Sequence, residues 1–291
     1  MRFALLLISA SALRAGDLPP QLVFLSREVP RWERENHCFS CHNNGDAARA
    51  LYLAKQKGYA IAADSLEATT AWLLQPARWS EIHGAPAASD WRLARVQFAS
   101  ALAEACRTGA VKDKRALREA ASLLAGIQDA SGAWVIDTGG LPPAPATYGT
   151  ALATHMSRQV LEAADAARFA SGIARATRWL AAAKPASVTE AAALLLATPA
   201  RADCRKMILG AQTSDGGWGP QRGMPAEAFD TALALLALRD TSPAASKHAR
   251  AFLLKIQDSA GAWPETTRPS GGVSYAERIS TAGWVAYALL Q

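Results

Sequence analysis

A chain of 291 residues, half of them apolar, is long enough to bury a large core as one domain or two. The net charge of +6 is mild, and Lys and Arg are scattered rather than clustered, which argues against a nucleic-acid partner. There is no sustained alternation of Val, Ile and Thr, so the fold class expected is all-α.

The chain opens with Met1, Arg2, a short apolar run and small residues through Ala12. This pattern predicts a secretory signal peptide, cut after Ala12 or Ala15. A buried N-terminal helix is the alternative, and Pro19-Pro20 speaks against it. The run is too short to span a bilayer, and no other segment is a transmembrane candidate. The expected division is 1–15 signal peptide, 16–44 N-terminal segment and 45–291 helical domain. The expected location is periplasmic or secreted.

Cys38-Phe-Ser-Cys41-His42 follows. Cys-x-x-Cys-His reads as covalent c-type haem attachment. Two thiols about one helical turn apart reach the two haem vinyl groups, and the next imidazole, His42, turns to the iron as proximal ligand. Two alternatives stand beside it. One is a Cys38–Cys41 disulfide. The other is a zinc site of Cys38, Cys41 and His42 or His37. Cys106 and Cys204 fall on different predicted helices and are read as buried thiols or as a pair.

From Gly45 the chain reads as alternating helices. Inner helices are expected at Ala47–Lys57, Asp90–Arg107, Tyr148–Glu162, Ser187–Ala197, Ala226–Arg239 and Ile279–Leu290. Outer helices are expected at Asp64–Leu74, Asp113–Ile127, Ala167–Ala183, Arg201–Ala211 and Ala245–Ile256. Thr231–Leu238 is apolar on every side, as a buried helix requires, whereas Lys247–Lys255 is amphipathic. Three turns repeat one device, Gln128 to Trp134, Gln212 to Trp218 and Gln257 to Trp263. The Trp residues lie 84 and 45 residues apart, two periods and one. A helical period in the forties means stacked hairpins. Gly turns the helix end, Trp covers it, and the Gln amide bonds loop backbone.

Gln-x3-Gly-x-Trp turns at this period resemble the repeat of squalene–hopene cyclases, whose superfamily includes the protein prenyltransferases. The resemblance implies an α/α toroid of about six helical hairpins around an apolar cavity, here lined by Tyr148, Phe229 and Trp284. The Cys-x-x-Cys-His segment and the end of the chain, Gly261-Ala-Trp263 and Ile279 to Trp284, further resemble exported bacterial cyclase-like proteins.

The cyclase reaction is not expected. Cyclases begin with an Asp-x-Asp-Asp-Thr-Ala segment whose middle acid protonates an alkene. Here the stretch is Glu227-Ala-Phe229-Asp230-Thr-Ala, with Phe229 at that place and Asp230 as the one catalytic candidate. A prenyltransferase zinc set has the residue types in Asp230, Cys204 and His248 but no recognisable arrangement.

If outer-to-inner loops share one rim, the haem motif shares it too. Distal haem ligands are then sought in His83 or Met224. His155 and Met156 lie roughly 10–12 Å deeper at about 1.5 Å per residue. The expected function is an exported, cyclase-like protein carrying haem for electron transfer or redox-linked binding, with a redox partner or an apolar small molecule. The alternatives are an enzyme acting on a terpenoid or other apolar substrate, or a scaffolding toroid with a Cys38–Cys41 disulfide.

Overall fold

The computed structural model describes residues 18–79, 91–268 and 271–291. The signal-peptide expectation and His83 lie outside them. Regular structure among the described residues is helical, with one isolated bridge between Trp218 and Glu227.

Six helices form the inner layer: α2 (Ala48–Gln56), α4 (Trp91–Arg107), α6 (Gly149–Asp165), α8 (Val188–Ala197), α10 (Ala228–Leu238) and α12 (Tyr275–Leu290). They are buried on nearly every side; α10 covers all but one of its residues. Each packs on the next in order, and α12 packs back on α2. The other six cover them: α1 (Pro20–Asn36), α3 (Glu67–Leu73), α5 (Arg115–Ala125), α7 (Ala170–Ala182), α9 (Ala202–Leu209) and α11 (Pro243–Lys255). These bury a single stripe, as in α5, where Ala116, Leu117, Ala120, Ala121 and Leu124 face inward.

Two features depart from the sequence expectation. Residues 16–44, read as a segment ahead of the helical domain, supply α1, which packs on α2, α3 and α12. Pro20 does not block this helix, because it stands at the first position, where a missing N–H costs nothing. The first inner helix, expected from Ala47, starts earlier. Cys41–Ala47 forms π-helical turns that run directly into α2. Cys41 and His42 therefore open an inner helix, while Cys38 precedes it.

The three repeated turns do the same physical work. Gly132, Gly216 and Gly261 have φ of 99°, 94° and 89°. Added Cβ atoms there would stand 2.6 Å from Arg175 O, 2.8 Å from His248 O and 2.2 Å from Pro20 O. The first two turns thus press against α7 and α11, and the third presses against the start of α1. Gln128 Nε2 donates to Gly132 O and Gly172 O, both at 2.9 Å. Gln212 Nε2 donates to Gly216 O and Ala245 O at 2.9 and 3.1 Å. Gln257 Nε2 donates to Gly261 O and Gln21 Oε1 at 3.1 and 3.2 Å. The indoles of Trp134, Trp218 and Trp263 donate to the carbonyls of Leu124, Ile208 and Leu253 at the ends of α5, α9 and α11. Those carbonyls lie in the last turns, where the regular helical pattern runs out, and Leu124 O and Ile208 O also accept from Ile127 N and Ala211 N at 3.1 and 3.0 Å.

Candidate functional site

Ser40 starts the site. Its Oγ accepts from His42 N at 3.2 Å and from Asn43 N at 3.4 Å, capping the turns that carry Cys41 and His42. Asn43 and Asn44 are fully buried and tie these turns to the neighbouring helices. Asn43 Nδ2 donates to Glu28 O at 2.8 Å and to the Tyr275 hydroxyl at 2.9 Å. Asn44 Nδ2 donates to Val29 O at 3.1 Å and to Thr69 Oγ1 at 2.8 Å. Small residues allow the close seating. A Cβ at Gly45 would lie 3.0 Å from Gln97 Cβ, and one at Gly283 would lie 2.8 Å from Asp46 O. The segment is thus wedged between α4 and α12.

Asp46 is the hub. Its carboxylate accepts from Ser280 Oγ at 2.7 Å, from Gln97 Nε2 at 2.7 Å and from the Tyr148 hydroxyl. Burial pushes Asp46 up to about 6, against the pull of Arg49 and these donors. His42 Nδ1 lies 2.9 Å from Ser280 Oγ. The one Ser280 proton goes to ionised Asp46, so His42 Nδ1 is the donor in that contact. The Nε2 lone pair is left without a hydrogen-bond partner among the described residues. Burial lowers His42 to about 4, so the ring is neutral at physiological pH. Burial, helped by Asp46, lifts the Cys41 thiol to about 12.

A second cluster lies at the starts of α10 and α12. Arg268 donates to Glu227 Oε1 at 2.8 Å, to Asp230 Oδ2 at 3.0 Å and to Pro143 O at 3.1 Å. Thr189 Oγ1 donates to Asp230 Oδ1 at 2.6 Å. Burial, opposed first by Arg268, leaves Asp230 at about 6. Glu277, buried beside Ala146 N, is raised by burial to about 8. Phe229, at the place of the middle acid, packs edge-on against Trp284 with ring centroids 5.9 Å apart.

A cavity of about 640 Å³ opens elsewhere. Most of its wall comes from the C-terminal halves of inner helices, including Val160, Leu196, Leu236 and Tyr287. Of the three residues expected to line a cavity, only Trp284 does so. Tyr148 and Phe229 are each 1% exposed. The reason is physical: Asp46 draws in the Tyr148 hydroxyl, and both rings pack on Trp284 from the other side.

The remaining expectations scatter. Met224 is 44% exposed on the loop after Trp218. His155 is buried at the cavity, not near the motif. Cys41, Cys106 and Cys204 are free thiols, so neither the Cys38–Cys41 nor the Cys106–Cys204 disulfide is formed. Among the described residues no three His, Cys, Asp or Glu side chains converge as a metal set. No described helix is long and apolar enough to cross a membrane.

Sequence reasoning missed Asp46, Gln97, Ser280, Arg268 and Glu277. One signal was there to read: Asn43-Asn-Gly-Asp46 is a polar run leading into an inner helix, where burial demands partners. No family model and no curated protein matches the chain.

Proposed function

We propose that the chain is an α/α toroid of six helical hairpins, cyclase-like in plan, that is exported and carries a c-type haem for electron transfer or redox-linked binding. The toroid reading is supported by the cyclic order of inner-helix contacts and by the turn device that seats three of the outer helices, α1, α7 and α11. The haem reading rests on one observation. His42 is held by Nδ1, through Ser280 to Asp46, which leaves Nε2 as the nitrogen that would bind the iron.

The residue types suit this group: Cys38 and Cys41 would supply the two thioether positions and His42 the iron ligand. When bound, the haem supplies reversible one-electron chemistry at its iron. The chain's own part is to fix the imidazole tautomer and to raise its basicity through the Ser280–Asp46 relay. Gln97 and Tyr148 hold the Asp46 charge in place.

The test is intact mass and absorption after export with haem-maturation machinery. A covalent haem increment and a Soret band are expected, and both vanish with Cys38→Ala/Cys41→Ala. Exported protein with neither signal overturns the reading.

The cavity favours a second reading, an enzyme on a terpenoid or other apolar substrate. Asp230, the acid candidate, does not line this cavity; it is 1% exposed and held by Arg268 and Thr189. Product from squalene or shorter isoprenoids that disappears with Asp230→Asn would establish it.

A further inference from the structure

The cavity at the C-terminal ends of the inner helices has a charged group in its wall, two of whose donors have no hydrogen-bond partner among the described residues. Arg49, on α2, is 4% exposed. Its guanidinium lies over the rings of Trp284 and Tyr287, with Cζ 4.0 and 4.5 Å from their centroids. Nη1 points to the Met156 sulfur at 3.6 Å, a poor acceptor. Nε and Nη2 are buried and have no hydrogen-bond partner, and no carboxylate lies within ion-pair distance of Arg49 among the described residues. Beside it in the wall, His155 is 5% exposed, and its Nδ1 also lacks a partner.

A buried cation normally has its donors filled, because leaving even one unmade costs about 1–3 kcal/mol or more for a charged group. Nε and Nη2 form one edge of the guanidinium, and their two parallel N–H bonds match the two oxygens of a carboxylate. The other cations at the mouth are already engaged. Arg107 is bound to Glu104 at 3.0 Å, and Arg239 to Gln291 at 2.9 Å. Val160, Leu196 and Leu236 supply apolar wall between mouth and Arg49.

We propose that this cavity binds a carboxylic acid with an apolar body, its body along Leu196 and Leu236 and its carboxylate drawn to Arg49, whose covered Nε–Nη2 edge turns out from the Trp284 and Tyr287 rings to meet it. His155 adds a donor to the bound head. Burial and the nearby Arg158 and Arg49 keep this ring neutral, with its pKa near 3, so it serves as a hydrogen-bonding group without adding charge. The site is spatially distinct from the haem motif, which meets the early turns of α12 while the cavity lies along the later ones, although Arg49 also pulls on Asp46.

The experiment uses the full chain expressed without export, hence without haem attachment. Dodecanoate is titrated against it, read by calorimetry and by Trp fluorescence, since Trp284 stacks on Arg49. Dodecanol and inorganic phosphate are run in parallel. Saturable binding of dodecanoate is expected, at least tenfold tighter than dodecanol, with phosphate not competing. Arg49→Gln should lose at least tenfold for dodecanoate while leaving dodecanol unchanged. Leu236→Trp, which fills the cavity and keeps Arg49, should abolish binding of both. Equal binding of acid and alcohol, or dodecanoate binding that survives Leu236→Trp, overturns the proposal. The acid–alcohol comparison on the unmodified chain decides it even if Arg49→Gln does not fold. Phosphate displacing dodecanoate would assign the site to inorganic anions and overturn the carboxylic-acid class.

Discussion

Tyr148 reaches the Asp46 carboxylate from a backbone φ of 57°, a conformation that a bulky side chain rarely holds. Such a residue costs on the order of 1–3 kcal/mol and persists only where its surroundings enforce it. Here the enforcement is the hydroxyl–carboxylate bond together with the edge-on contact to Trp284 at 5.6 Å. Tyr148→Phe keeps the ring and deletes the donor. We expect a loss of about 1–3 kcal/mol in urea unfolding. The loss should be greater at pH 8 than at pH 5, because Asp46 is ionised only above about 6. A pH-independent loss would mean that the bond does not serve the charged form.

The buried carboxyls make stability fall as the solution turns alkaline. Glu277 has an ordinary value of 4.5 and a folded value of about 8, raised by burial and by the nearby Asp46 and Glu227 charges, with Ala146 N and Arg268 opposing. Between those values the folded chain holds a proton that the unfolded chain has lost. Its contribution is full below about 4.5 and is lost as pH rises through about 8. His42 and His155, lowered to about 4 and about 3, act in the opposite sense below 6.5 and mask part of this in acid. From pH 6.5 to 8.5 the Glu277 effect stands clear. Glu277→Gln should flatten the decline in melting temperature across that window, retaining a free energy on the order of 1–3 kcal/mol at pH 8.5. An unchanged slope would show that Glu277 is not the titrating group.

Gly261 and Gly58 form a matched pair for testing how the last turn meets the first helix. Both have φ near 90°, but a Cβ at Gly58 meets nothing within 4 Å, whereas one at Gly261 would lie 2.2 Å from Pro20 O. Gly58→Ala should cost about 1 kcal/mol, the backbone penalty alone. Gly261→Ala adds a clash with α1 and should cost at least about 2 kcal/mol more. Denaturant midpoints of the two variants make the comparison, and equal midpoints would remove the α1 contact from the account.

Ser280→Ala tests the relay without reference to any cofactor. The wild-type imidazole of His42 should show the Nδ1–H tautomer by nitrogen NMR, its Nε2 resonance typical of a bare lone pair. In Ser280→Ala that preference should collapse toward a mixture, with a stability loss of about 1–3 kcal/mol as Asp46 loses a donor. A tautomer that stays fixed would show that something other than Ser280 sets it.

The repeated turns were legible because their chemistry is local. A Gly needing positive φ, a Trp reaching back over the helix end and a Gln bonding the loop act within a few residues of one another. The candidate site was legible only in part, for the opposite reason. Pro19-Pro20 looks like a break, yet Pro20 at a first helical position starts α1. Asn43-Asn-Gly-Asp46 has loop composition, and it turns helical only because α1, α3, α4 and α12 answer its side chains from far along the sequence. Arg49 reads as an ordinary surface cation. Nothing in its neighbours by sequence announces that Trp284 and Tyr287 will cover it.

The seating of Pro20 under Gly261 carries a mechanical consequence. An open array of hairpins can unzip from whichever flank is weakest, because its terminal units have one neighbour each. Here α1 packs on α12, and α12 packs on α2, so the first and last described helices brace each other. Removing α1 or α12 by truncation would bare two apolar surfaces at once, and the molecule should melt as a whole instead of shedding units in sequence.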